Sequence, residues 1–506
     1  MLSLFLFPAL LFPQSGDGFS ALAKEVEMRT LDNGLRVLTL PHGDAPVVAF
    51  HIYVQAGAMD EEIGLTGLAH FAEHMAFKGS NRIGAINWRA EQEAMLRSDQ
   101  AWAAYEQALT APVGNYEEDE IEALKNRFNS LNQRAVNLAD AGAFDRAVEV
   151  AGGRDQNATT GTDATRYFVS LPANRTETWF WLTREQIGAP CMREFYQERD
   201  VVMEERRMRT DSSPVGGAVE ALLNAAFVAH PYRDSTIGHM DDLLYLDRPE
   251  MIRFWQKHYT ADRIVVAVVG QLEPDEIFDF AERYFGDFPS GEEPRPRRTK
   301  EPDQTGERIL EMHRPTSPMV VAGWRVPALT GREWLVHLAL NEALFGGPSS
   351  QLFERLVKKE QIAAEVQGHP GFPGRIDPTL FLGILVPLPG ESPQACMLAA
   401  QDAISEFAKE GVTERQLEGV RRRLKLSLLS ELETPSGLAS ALAEAEAEDG
   451  GWESIFESLS VLEGIQSSDL QTAALRFTRE QRTTVYLLPA GMNSDGSFSS
   501  TGEVSE

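Results

Sequence analysis

Residues 286–307, GDFPSGEEPRPRRTKEPDQTGE, constrain this chain more than any other stretch. Proline, glycine and charge are too dense there for a buried element, so the segment reads as a linker between two folded parts. At 506 residues the chain is also too long for one core. The same plan recurs on either side. EVEMRTLDNGLRVLTLP sets Asn33-Gly34 between two runs of β-formers, the strongest short hairpin signal. VVAFHIYVQAG follows as a strand, and RIVVAVVGQL (263–272) as a buried one before the helix PDEIFDFAERYFG. Beyond the linker, MVVAGWRV (319–326) predicts a strand and REWLVHLALNEALFG a helix. The fold class is therefore α+β, in two halves of similar plan: 24–285 and 308–490, with a disordered tail at 491–506.

The first half carries an insertion. From Ile121 the apolar positions run Ile121, Leu124, Phe128, Leu131, Ala135 and Leu138, a heptad seam. Upstream, Trp88, Met95, Trp102 and Leu109 recur every seven residues, with turn-like TAPVGNY (110–116) between the runs. An antiparallel helical hairpin over 87–140 follows, either packed on the domain or projecting as an arm.

Composition excludes some functions. A formal charge of −29 leaves no excess of Lys and Arg to neutralise phosphates, which argues against nucleic acid. It suits basic peptides, or simply solubility. Cys191 and Cys396 stand far apart and read as two buried thiols, not as a disulfide or a Cys-type zinc site. At the N-terminus, LSLFLFPALLF has the length of a signal-peptide core and is too short to span a membrane. With the small-x-small triplet Ala21-Leu22-Ala23, it marks 1–23 as a signal peptide and the protein as exported, a cytoplasmic location being the alternative. Nothing downstream resembles a membrane span.

The chemistry concentrates in GLAHFAEHMAFKGS. On a helix His74 lies about 40° from His70, and Glu73 about 60° to the other side, so all three side chains leave one face. Two histidines one turn apart supply two nitrogens to a hydrolytic zinc site, which needs a third ligand and an open position for water. The adjacent glutamate can then act as general base. In EFYQERDVVMEERRM, Glu198 and Glu205 share a stripe with Val201 and Val202, while Glu204 points away. Carboxylates on an inward apolar stripe are costly unless paired or metal-bound. The alternative is a surface acidic helix paired with Arg199, Arg206 and Arg207.

These residues carry a resemblance. His-x-x-Glu-His is the signature of the inverzincins, the pitrilysin or insulinase family of zinc peptidases (peptidase family M16). LDNGLRVLTLP, GLAHFAEHMAFKGS, NATTGTDATRYFVSLPANR, ERDVVMEERR, YFGDFPSG and FGGPSSQLFERL resemble that family in its order, over most of residues 26–490. The resemblance implies two homologous α+β halves, zinc on His70, His74 and Glu205, and Glu73 as base. It implies that Glu198 orients a histidine ligand. It also implies that a peptide adds as a strand at Asn157, Ala158 and Thr159, where an ordinary strand end is the alternative. The expected activity is zinc-dependent endopeptidase action on peptides or unfolded segments. A non-catalytic subunit of a two-chain complex is the runner-up.

Two departures from the family stand out. His74 and Glu205 are 131 positions apart, longer than usual, and the hairpin accounts for the excess. In the second half, Val357 and Ala364 stand where many active members have an arginine and a tyrosine that hold substrate and stabilise the oxyanion. A homo- or heterodimer with a second chain of the same fold, supplying that pair, is the expectation.

Overall fold

The structure is a computed structural model that describes residues 21–292 and 300–497. The signal-peptide core, the middle of the linker and the end of the tail lie outside the described residues.

The Asn33-Gly34 hairpin joins β1 (Glu27–Thr30) to β2 (Arg36–Pro41) in antiparallel register. Its turn needs the left-handed backbone that glycine accepts, with Gly34 at φ +94°. β3 (Val47–Val54), β4 (Arg154–Thr160), β5 (Thr165–Pro172) and β6 (Ile264–Gly270) complete a sheet of order β1-β2-β6-β3-β5-β4. β2 and β6 run parallel and the other neighbours antiparallel. The second half builds β7 (Arg308–His313), β8 (Met319–Val326), β9 (Ala363–Phe372), β10 (Thr379–Pro387) and β11 (Arg482–Leu488) in the order β7-β11-β8-β10-β9. Here β7 and β11 are the parallel pair. Strand for strand, the second sheet repeats the first without β1.

Why β6 is apolar at every position follows from what covers it. Ile264, Val266 and Val268 face the large core of the first half. Val265, Ala267 and Val269 face Leu438, Ala439, Leu442 and Ala443 of a helix, Pro435–Glu448, that belongs to the second half. The reciprocal contact also exists. Val485 and Leu487 of β11 pack on Ala218, Leu222, Leu223 and Ala226 of the helix Pro214–Ala226, which precedes the linker. Each sheet is thus closed by a helix from the other half, and each central strand is buried on both faces. Polar contacts lock the exchange. Glu448 accepts from Arg166 at 3.3 Å and pairs with Arg375 at 2.7 Å, while Arg36 reaches Glu446 at 3.0 Å.

Four α-helices lie between β3 and β4: α1 (Leu68–Ala76), α2 (Trp88–Thr110), α3 (Glu118–Val136) and α4 (Ala143–Val150). α2 and α3 form the expected hairpin, in antiparallel order. Trp102 meets Phe128 at 5.2 Å, and Met95 shares a cluster with Ala135. Its base docks on the domain. Tyr196 donates to Asp99 at 2.9 Å, and buried Arg193 pairs with buried Glu91 at 2.8 Å. The tip is bare, with Val113 fully exposed. Both cysteines are free thiols, but only Cys396 is buried; Cys191 is half-buried and faces the Gly79 carbonyl. Among the described residues no helix is long and apolar enough to cross a membrane.

Candidate metal centre

α1 begins at Gly67, whose φ of +92° and tight approach to the Ile237 carbonyl leave no room for a Cβ. Glu61 accepts from the Gly67 and Ala69 amides at 2.9 and 2.7 Å, satisfying donors that every helix start leaves open. The helix packs its apolar face inward through Phe71, which stacks on Phe195 at 4.6 Å. That contact sets α1 against α5 (Phe195–Arg206), which carries Glu198 and Glu205.

Three donor atoms converge between the two helices. His70 Nε2 and His74 Nε2 lie 3.3 Å apart, and Glu205 Oε2 lies 3.6 and 3.5 Å from them. A tetrahedron with corners about 2.0–2.2 Å from its centre has edges of about 3.3–3.6 Å, so the triangle matches one face of a zinc-sized site. The chemistry of the set agrees. His74 Nδ1 faces Glu198 Oε1 at 2.8 Å, so in the neutral ring the proton sits on Nδ1 and the lone pair on Nε2. Burial, then His74 and Arg209, lowers His70 to about 3, so its imidazole is neutral. With both rings neutral, two nitrogen lone pairs and a carboxylate pointing at one another repel unless a cation, a metal ion or a proton on His74, sits between them. Among the described residues, His70, His74 and Glu205 are the one group of this kind able to hold a metal ion.

Around this triangle the remaining charges are placed in turn. Lys78 pairs with Glu198 at 2.5 Å, and Arg209 with Glu205 at 2.8 Å. Burial works against the charged form of His74, but the Glu198 hydrogen bond and the charges of Glu198, Glu205 and Glu73 outweigh it and raise its pKa. Burial raises the Glu73 carboxyl, with the Thr160 hydrogen bond and His74 pulling the other way. Thr160 donates to Glu73 Oε2 at 2.5 Å and leaves Oε1 open.

The structure brings together His70, Glu73, His74, Glu198 and Glu205. Asn157, Ala158 and Thr159 lie on β4, the outermost strand of the sheet, with Ala158 buried and its two neighbours exposed. One reading of the α5 stripe needs correction. Val202 is fully buried, but Val201 is 51% exposed, because the inward face runs through Phe195, Arg199, Val202 and Arg206, and the half-buried Glu198 and Glu205 lie along its edge. Glu204 points away and pairs with Arg207 on the surface, as its angle predicts. Arg199 and Arg206 are buried elsewhere, the first on the Leu246 carbonyl and the second on Glu220. Sequence reasoning missed Thr160, Lys78 and Arg209. Thr160 had one available signal, its place three residues after Asn157 on the strand beside α1.

Residues 36–111 match the family model described as insulinase (peptidase family M16), and residues 245–424 match the one described as peptidase M16 inactive domain. α5 lies in neither range. A zinc protease, PqqE, of Helicobacter pylori is 26% identical over 92% of this chain and 93% of its own length. The β subunit of the mitochondrial-processing peptidase of Lentinula edodes is 22% identical over 93% of this chain and 90% of its own. Among solved structures, a protease from Helicobacter pylori superposes with a TM-score of 0.75 at 26% identity, covering 91% of this chain and 98% of that one. The periplasmic protease PqqL of Escherichia coli shares the fold, with a TM-score of 0.64 at 17% identity; 92% of this chain covers 47% of that one.

Proposed function

This chain belongs to the M16 peptidase family, and on that premise we propose that it is a zinc-dependent endopeptidase acting on peptides or unfolded segments. The observation that carries the reading is the convergence of His70, His74 and Glu205 beside a carboxylate, Glu73, that is not part of the triangle. His70, His74 and Glu205 hold the metal, and Glu198 fixes the His74 ring. A zinc ion bound there supplies a Lewis acid that polarises water and the peptide carbonyl. Glu73 takes the proton of the attacking water at its open Oε1 and passes it to the leaving amine. The edge of β4, at Asn157, Ala158 and Thr159, offers backbone pairing to an extended peptide alongside. Metal analysis together with cleavage of a mixed peptide library tests the reading. A chain that takes up zinc but cleaves nothing, with or without a partner, overturns it.

The second half supports a further element of the proposal. Val357 is packed against the second core and Ala364 is exposed on β9, and neither is a hydrogen-bond donor for an oxyanion. The working form is therefore a dimer with a chain of the same fold that supplies an arginine and tyrosine. A weakly active or non-catalytic subunit is the alternative, less favoured because the metal-binding set and its base are complete. Light scattering with and without such a chain, read alongside peptide turnover, separates them. The apolar run at the N-terminus supports export.

A further inference from the structure

The second half holds a helix pair laid out like the one around the metal centre. Arg332–Leu344 is the first α-helix after β8, as α1 is after β3. Glu414–Glu431 is the last before Pro435–Glu448, as α5 is before Pro214–Ala226. The helices that follow open alike. Ser213 and Thr434 cap them, accepting from the amides of Gly216 at 3.1 Å and Gly437 at 3.0 Å. Each glycine presses on a carbonyl, of Arg209 in the first half and of Glu431 in the second, too closely for a Cβ. Glu431 thus holds the place of Arg209, with the charge reversed.

Against this second pair opens a cavity of about 720 Å³, large enough for a small organic molecule. Its walls are apolar and anchored. Trp334, Leu428 and Val461 pack on the second core, and Ala441 and Ile455 on the cluster that closes the first sheet. Its cations are already paired. Arg332 meets Asp469 at 2.8 Å, and Arg375 meets Asp449 and Glu448, each at 2.7 Å. Glu444, on the wall, pairs with Arg375 at 3.2 Å and Arg166 at 3.4 Å. Glu431, at the rim, forms no ion pair or side-chain hydrogen bond among the described residues. Partial burial, then the charge of Glu444, raises its carboxyl, with no cation acting against them.

We propose that this cavity binds a small organic cation with an apolar body, at a site separate from the metal centre. The body lies along Trp334, Leu428 and Val461, and the head group meets Glu431, with Glu444 behind it. An anion finds no unpaired arginine there. A purely apolar ligand leaves the repulsion between Glu431 and Glu444 uncompensated. The site stands apart from the peptidase reading, since no residue of the metal triangle lines it.

The test titrates the full chain with decylamine, decanol and decanoate, which put different heads on one body. Isothermal titration calorimetry at neutral pH reads the binding, below the concentrations at which these molecules form micelles. Decylamine should bind about fivefold more tightly than decanol, and decanoate more weakly than either. Glu431→Gln keeps the shape at a largely exposed position. In that variant amine and alcohol should bind alike, with the affinity for decanol unchanged. Ser440→Trp, whose ring fills the cavity, should abolish binding of all three, with thermal unfolding confirming its fold. Equal binding of the three by the wild type, or no binding of decylamine, overturns the proposal. So does a preference for the amine that survives Glu431→Gln. Decylamine binding that a folded Ser440→Trp chain retains overturns it as well, because the amine then sits elsewhere. Should Ser440→Trp fail to fold, the Glu431→Gln comparison decides alone.

Discussion

Thr160 donates its hydroxyl proton to Glu73 Oε2 at 2.5 Å, tying the carboxylate of α1 to the last residue of edge strand β4. One oxygen of Glu73 is held and the other is left to work. The strand proposed to pair with an extended peptide thus also orients the proposed base. Hydrogen bonds to a charged group are worth about 1.5–3 kcal/mol. Thr160→Val should therefore lower kcat by about 10–100-fold with KM and zinc content unchanged, and Thr160→Ser should restore most of the rate. A rise in KM with unchanged kcat points instead to a role in peptide binding.

Glu73→Gln keeps the shape and removes the proton acceptor. Turnover should fall by a factor of about 10²–10⁴ or more while the metal stays at wild-type content. Full peptidase activity in the metal-replete variant rules out Glu73 as the base.

Around the triangle, the three glutamates of α5 should separate cleanly. Glu205→Gln should lose metal on dialysis against a weak chelator, whereas Glu204→Gln, whose side chain pairs with Arg207 outside the site, should retain it. Glu198→Gln should fall between them, weakening metal binding by about 10–100-fold through the loosened His74 ring. Equal loss from Glu204→Gln and Glu205→Gln contradicts the assignment.

Glu301 gives a pH-dependent test of how the linker is anchored. Its carboxylate accepts from the amides of Val228, Ala229 and His230 at 2.8–3.1 Å and pairs with Arg325 at 2.7 Å. Burial opposes the charge, but those bonds prevail and hold the carboxyl at about 2 instead of 4.5. A depressed folded-state value stabilises the protein above the unfolded value and is lost as pH falls through the folded one. Glu301→Gln should lower stability at neutral pH by on the order of 2 kcal/mol. The gap from wild type should close between pH 4.5 and about 2. Thermal unfolding across that range measures it.

The exchange of helices between halves predicts that neither folds alone. Residues 24–292 expressed by themselves expose Val265, Ala267 and Val269, and residues 300–497 expose Val485 and Leu487. Each piece should aggregate, and co-expression should recover soluble, zinc-binding protein. Cooperative unfolding of either piece alone, seen by calorimetry, contradicts this.

Local rules sufficed for much of this protein. The hairpin at Asn33-Gly34, the strands at 264–270 and 319–326, and the face shared by His70, Glu73 and His74 depend on turn chemistry and on helical and strand periods, which act over a few residues. Angle also sets Glu198 and Glu205 on one side, since seven residues on a helix return to nearly the same side, whereas the choice of Glu205 over Glu198 as ligand rests on the family resemblance. The sequence could not say which helix closes which sheet. The apolar stripes of Pro214–Ala226 and Pro435–Glu448 satisfy either sheet equally well on paper, and only the packing of both halves together sends each across the linker. Nor could it place Val201, whose exposure depends on how α5 is rolled against Phe71. The same is true of Thr160. A threonine on a strand is unremarkable until the sheet edge brings its hydroxyl against the carboxylate of Glu73. Periodicity fixes what a side chain faces within its own element. What it meets there is set by long-range packing, which no local pattern encodes.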